Sequence, residues 1–152
     1  MEREQRNPAW SRQGFTLTEL LLVIVVIGIL LAITAPRIAT AMARRNVTGA
    51  TAGMEALLRR ARASAIQTRL PATITFASGV ATVTVDSAGT AKVVGQPLNF
   101  AAQYGGVAVT PSSATLRIEP TGLIVTGTPY TMIATKGSAA DTTLITGYGR
   151  IE

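Results

Sequence analysis

With 152 residues the chain is long enough for one domain with a modest core, and it contains neither cysteine nor histidine. That excludes disulfides, thiolate chemistry, Cys- or His-based metal sites and the usual general base near neutral pH. The formal charge of +6 is concentrated: residues 37–69 hold seven arginines against Glu55 alone, whereas residues 70–152 are neutral.

The eight carboxylates are dispersed, and no spacing among them calls for a catalytic pair. The expectation is a protein that is not an enzyme and carries no cofactor and no metal. A basic bias beside an apolar run marks either an orientation signal or a solvated helix face.

Residues 1–13 are polar and charged, and Gly14 ends them. From Phe15 to Ala35 the only charge is Glu19. A helix of that length spans about 30 Å, the hydrocarbon thickness of a bilayer. Glu19 is the anomaly, because a carboxylate one turn into an apolar helix needs a partner or a shallow position. Cleavage between Gly14 and Phe15 would create a cationic α-amino group one helical turn before it, and an acid near a helix N-terminus also suits the dipole. A plain single-span anchor leaves Glu19 unexplained. A secretory signal peptide cut after Ala41-Met42-Ala43 would have an apolar run longer than the usual ~7–15 residues, with a charge inside it. Gly28 and Pro36 bracket a segment expected to kink, or to unwind locally on packing.

Gly14-Phe15-Thr16-Leu17-Thr18-Glu19, followed by Leu-Leu-Leu-Val-Ile-Val-Val-Ile-Gly, resembles the class III signal of type IV pilins and type II secretion pseudopilins. The resemblance implies a prepilin peptidase that cuts after Gly14 and methylates Phe15. It also implies assembly with other subunits through an inner-membrane platform, Glu19 pairing with a neighbour's N-terminus. The same resemblance places the chain in the inner membrane as a single-pass protein with its C-terminal domain in the periplasm, and afterwards in a filament.

Past Pro36 the apolar residues Val47, Ala50, Met54, Leu57, Leu58, Ala61 and Ala65 form one helical stripe. Glu55 and Arg59 stand at i,i+4. Pro71 predicts a stop near Arg69. Beyond it come short β-type runs at Thr73–Ala77, Val80–Val85, Lys92–Val94, Val107–Thr110, Thr115–Glu119, Leu123–Thr126, Tyr130–Thr135 and Thr143–Thr146, separated by turn residues. Ser78-Gly79 suits a hairpin.

The predicted fold is α+β, a long N-terminal helix on a C-terminal antiparallel sheet or small sandwich. Its divisions are a leader (1–14), a membrane or filament-core helix (15–36), an amphipathic stem (37–70) and a β domain (71–152).

The run Leu57–Ile66, the segment Ile118-Glu119-Pro120-Thr121-Gly122 and the closing Gly147-Tyr148-Gly149-Arg150-Ile151 resemble the GspH/FimT group of minor pilins and pseudopilins. Some relatives of that kind bind DNA, which makes Arg59, Arg60, Arg62 and Arg150 candidate nucleic-acid contacts. The tail departs from the DNA-binding form, since Glu152 stands where a second arginine is expected and repels phosphate.

Overall fold

The computed structural model describes residues 14–87, 89–124 and 129–147. They divide into two compact units, Met1–Ile38 and Ala39–Glu152. One helix, α1 (Leu17–Thr68), supplies residues to both.

In the first unit α1 is regular helix through Gly28 and Pro36. Pro36 has no N–H to offer the carbonyl of Ala32. Thr34 turns its hydroxyl back to the Leu30 carbonyl at 2.8 Å, which satisfies that O–H within the apolar stretch.

In the second unit the predicted stripe is the buried face. Val47, Ala50, Met54, Leu57, Leu58, Ala61 and Ala65 are the buried residues of α1. Full burial of each large member is worth about 1.5–3 kcal/mol. The helix ends at Thr68, because Arg69 takes a left-handed φ of 57° and Pro71 follows.

Eight strands follow: β1 (Ala72–Ala77), β2 (Val80–Ser87), β3 (Thr90–Val93), β4 (Leu98–Asn99), β5 (Ala108–Pro111), β6 (Thr115–Ile118), β7 (Tyr130–Lys136) and β8 (Ala139–Ile145). They make two antiparallel sheets, ordered β3-β2-β1-β6 and β5-β7-β8. β4 also pairs with β2, continuing the line of β3 along the same strand. Both sheets contribute to the core that the α1 stripe enters: Ile74 and Val83 from the first, Met132 and Ile145 from the second. The β1–β2 link is the expected two-residue hairpin. Ser78 and Gly79 both take positive φ (49° and 74°), as a tight turn between twisted strands requires.

The strand expectations need correcting at two places: β4 was not foreseen, and β8 begins at Ala139, not at Thr143. Of the predicted strand Leu123–Thr126, the Leu123 carbonyl accepts the Glu119 N–H and Ile124 bridges Ile118, while Val125 and Thr126 lie outside the described residues. A short helix, α2 (Phe100–Gln103), was not foreseen. Asn99 caps it, its Oδ1 accepting the Ala102 N–H at 3.0 Å. Phe100 is wholly buried.

Tyr104, just after α2, fills a shallow groove on α1. Gly49 and Gly53 leave that groove by lacking side chains one turn apart. A Cβ on Gly49 would meet the Tyr104 ring at 3.1 Å, and one on Gly53 would run into its hydroxyl and stand 2.9 Å from Cζ. Gly53→Ala should therefore destabilise the protein, even though alanine is favoured in helices by about 1 kcal/mol. Overpacking of a filled site typically costs about 1–3 kcal/mol, so the net loss should be near 1 kcal/mol in chemical denaturation. Gly28→Ala, with nothing within 4 Å of the new methyl, should show no such loss. In the Tyr104→Ala background the Gly53→Ala penalty should vanish.

Tyr130 of β7 is also buried. Its hydroxyl donates to the Ser113 carbonyl at 3.0 Å, and burial pushes its pKa far above the ordinary tyrosine range.

Candidate processing and assembly segment

Gly14, Phe15 and Thr16 precede the helix and are exposed. Phe15 has 82% of its surface free, and nothing lies within 4 Å of the position a Gly14 Cβ would take. The Gly14–Phe15 peptide bond is thus in open, non-helical chain.

The helix starts just beyond it on an N-cap the sequence reading missed. Thr16 Oγ1 accepts the Glu19 N–H at 3.2 Å, and the Thr16 carbonyl accepts the Leu20 N–H at 3.2 Å. Thr16-Leu17-Thr18-Glu19 has the Thr-x-x-Glu spacing of a capping box, and that spacing was a legible signal. Glu19 accordingly sits in the first turn, where a carboxylate faces the positive end of the helix dipole.

From Leu17 to Met42 every side chain is exposed, and the large apolar ones lie on all faces of the helix. Such a surface is stable only in lipid or against other apolar helices. The helix is long and apolar enough to cross a membrane.

Arg59, Arg60 and Arg62 each meet a different neighbour. Arg59 is held by Glu55 at 2.9 Å, as the i,i+4 spacing predicted. Arg60 lies along a loop: a Cβ on Gly95 would stand 2.9 Å from its Nη1 and 3.4 Å from its Cζ. Arg62 packs its stem under the turn at Glu119-Pro120-Thr121-Gly122. A Cβ on Gly122 would be 3.3 Å from Arg62 Cγ and 3.1 Å from Ile66 Cδ1, and its φ of 80° is one that glycine tolerates best. That turn is closed by Gly122 N–H to the Glu119 carbonyl at 2.8 Å, while Glu119 pairs with Arg117 at 2.9 Å. The segment that resembles the GspH/FimT pattern is therefore a docking turn for the end of α1. Arg150 lies outside the described residues.

Residues 11–35 match the model of the prokaryotic N-terminal methylation motif. Residues 50–147, well over half the chain, match the model of the type II transport protein GspH. The chain belongs to the GspH family. Among solved structures, this GspH-family chain is similar to the type IV minor pilin FimU of Pseudomonas aeruginosa strain PAO1 in two crystal forms. One match has a TM-score of 0.57 at 18% identity and covers 72% of this chain and 88% of that one. The other has a TM-score of 0.54 at 18% identity, covering 69% and 90%. At that identity the likeness carries the fold, a long N-terminal helix on antiparallel sheets, which is the α+β pilin fold expected from sequence. No curated protein matches the chain. Family and fold are those of structural pilins and not of enzymes.

Proposed function

We propose that this GspH-family chain is a minor pilin or pseudopilin subunit, cut between Gly14 and Phe15 by a prepilin peptidase and methylated on the new amino group. It then enters a type II secretion pseudopilus or type IV pilus through its N-terminal helix. The observation that carries this reading is the helix surface from Leu17 to Met42, apolar on every face and wholly exposed, beginning directly after an open peptide bond and a threonine cap. Before assembly that surface rests in the inner membrane, with residues 1–13 in the cytoplasm and the domain from residue 71 in the periplasm. An inner-membrane platform transfers it into a filament core of the same polarity, where Glu19 meets a neighbour's N-terminus. Gly28 and Pro36 are where the helix yields during that transfer, since proline has already removed one backbone bond there.

The alternative reading, a DNA receptor for transformation, is weakened at two of its candidate residues: Arg59 is paired with Glu55, and Arg62 lies under the Gly122 turn.

The deciding test is the intact mass and N-terminal sequence of the protein from its native membrane. N-methyl-phenylalanine at position 15 is expected. A start at Met1 would leave an ordinary anchored protein, and a start at Arg44 a secreted domain; either overturns the assembly reading.

A further inference from the structure

A cleft of about 190 Å³ opens beside α1 where the loop between β3 and β4 and the end of α2 come against the helix. Its polar walls are Arg60, Gln96, Gln103 and Tyr104, and no carboxylate lines it. Arg60 runs close past Gly95, where a Cβ would stand 2.9 Å from its Nη1, and Tyr104 is seated over Gly53. One guanidinium, two amides and a phenol, all groups with N–H or O–H donors, thus line one small space whose walls include no carboxylate. A planar, singly charged acceptor completes such a set, because guanidinium and carboxylate match two-to-two.

We infer that this cleft receives a carboxylate side chain, Asp or Glu, from the acidic surface of a different protein. A second copy of this chain does not fit the role. Of the described carboxylates beyond the apolar segment, Glu55 is paired with Arg59 and Glu119 with Arg117. Asp86 accepts the Gly89 N–H, and Asp141 accepts from Thr142 and Thr51. The stem around the cleft is strongly basic between residues 37 and 69, so two copies would repel where an acidic partner is attracted. Nucleic acid is the poorer match, because a phosphate chain is held by several cations tracking a groove, and this cleft has one. The assignment concerns the domain alone and is independent of processing at Phe15.

The test is a titration of the full-length protein in detergent micelles, following the Arg60 Nε–H and the Gln103 side-chain amide by NMR. The probes are an acetylated, amidated Gly-Glu-Gly peptide, its Gly-Gln-Gly counterpart and inorganic phosphate. The Glu peptide should shift both signals saturably and the Gln peptide should not. Arg60→Gln should weaken binding at least tenfold, whereas Arg59→Gln, the same charge change one residue away, should alter it less than twofold. Gln103→Ala, an exposed substitution, should weaken it about threefold and serves as the second reading should Arg60→Gln disturb the fold. No saturable shift, equal losses in Arg59→Gln and Arg60→Gln, or equal binding of the Gln peptide would overturn the inference. Phosphate binding as tightly as the Glu peptide would overturn it in favour of a phosphate site.

Discussion

Phe100→Ala should cost about 3–5 kcal/mol, the range for emptying a buried aromatic site. Phe100 is the largest wholly buried side chain among the described residues. Its N–H donates to the Gly79 carbonyl at 3.1 Å, tying α2 to the β1–β2 hairpin, and its ring lies 6.2 Å from that of Tyr104. The substitution therefore removes packing that holds α2, β4 and the Tyr104 knob against α1 at once. Domains of this size have about 5–15 kcal/mol of stability in total, so the variant should melt near or below physiological temperature. Chemical denaturation in mild detergent, read by near-ultraviolet circular dichroism, would check it. A loss below 1 kcal/mol would mean that the surrounding side chains close over the gap.

Glu19→Ala should still insert and be cut before Phe15, yet its share of purified filaments should fall at least tenfold. The expectation follows from the proposed assembly step. A carboxylate paired with an amino group in an apolar filament core loses several kcal/mol when one partner is deleted, and each ~1.4 kcal/mol is a factor of ten. A competing account is local: Glu19 stands at the capping-box spacing from Thr16 and in the first turn beside the positive helix end, so removing its carboxylate would also loosen that turn. Glu19→Gln separates the two. Glutamine serves a capping box but carries no charge, so a Gln variant that assembles normally would assign the residue to helix capping. One that fails like alanine assigns it to charge pairing. Quantitative immunoblotting of membrane and sheared-filament fractions gives the ratio.

How much of this was legible depends on whether a feature repeats along the chain or is made by distant parts meeting. The α1 stripe repeats at the helical period, so each of its seven buried positions was readable, as were most strands and the Ser78-Gly79 turn. α2 has four residues and exists because Phe100 is swallowed by a core assembled from α1 and both sheets, which no local period announces. The spacing of Gly49 and Gly53 was visible, but nothing near them in sequence names Tyr104, about fifty residues on, as the group that fills the space. In the candidate segment, residue types alone marked Gly14, Phe15 and Glu19. Thr16 carries no charge and stands at the edge of the apolar run, so its part in starting the helix shows only in its three-residue spacing to Glu19.

The placement of that cap has a thermodynamic corollary. Among the described residues, the hydrogen bonds that begin α1 are made by Thr16 and by residues after it. Severing the chain ahead of Phe15 would therefore cost the helix none of its internal bonds while adding a positive charge at the chain end. Trimming would change the electrical state of the tip while leaving the capped first turn as it is, so the cut itself would demand no refolding there.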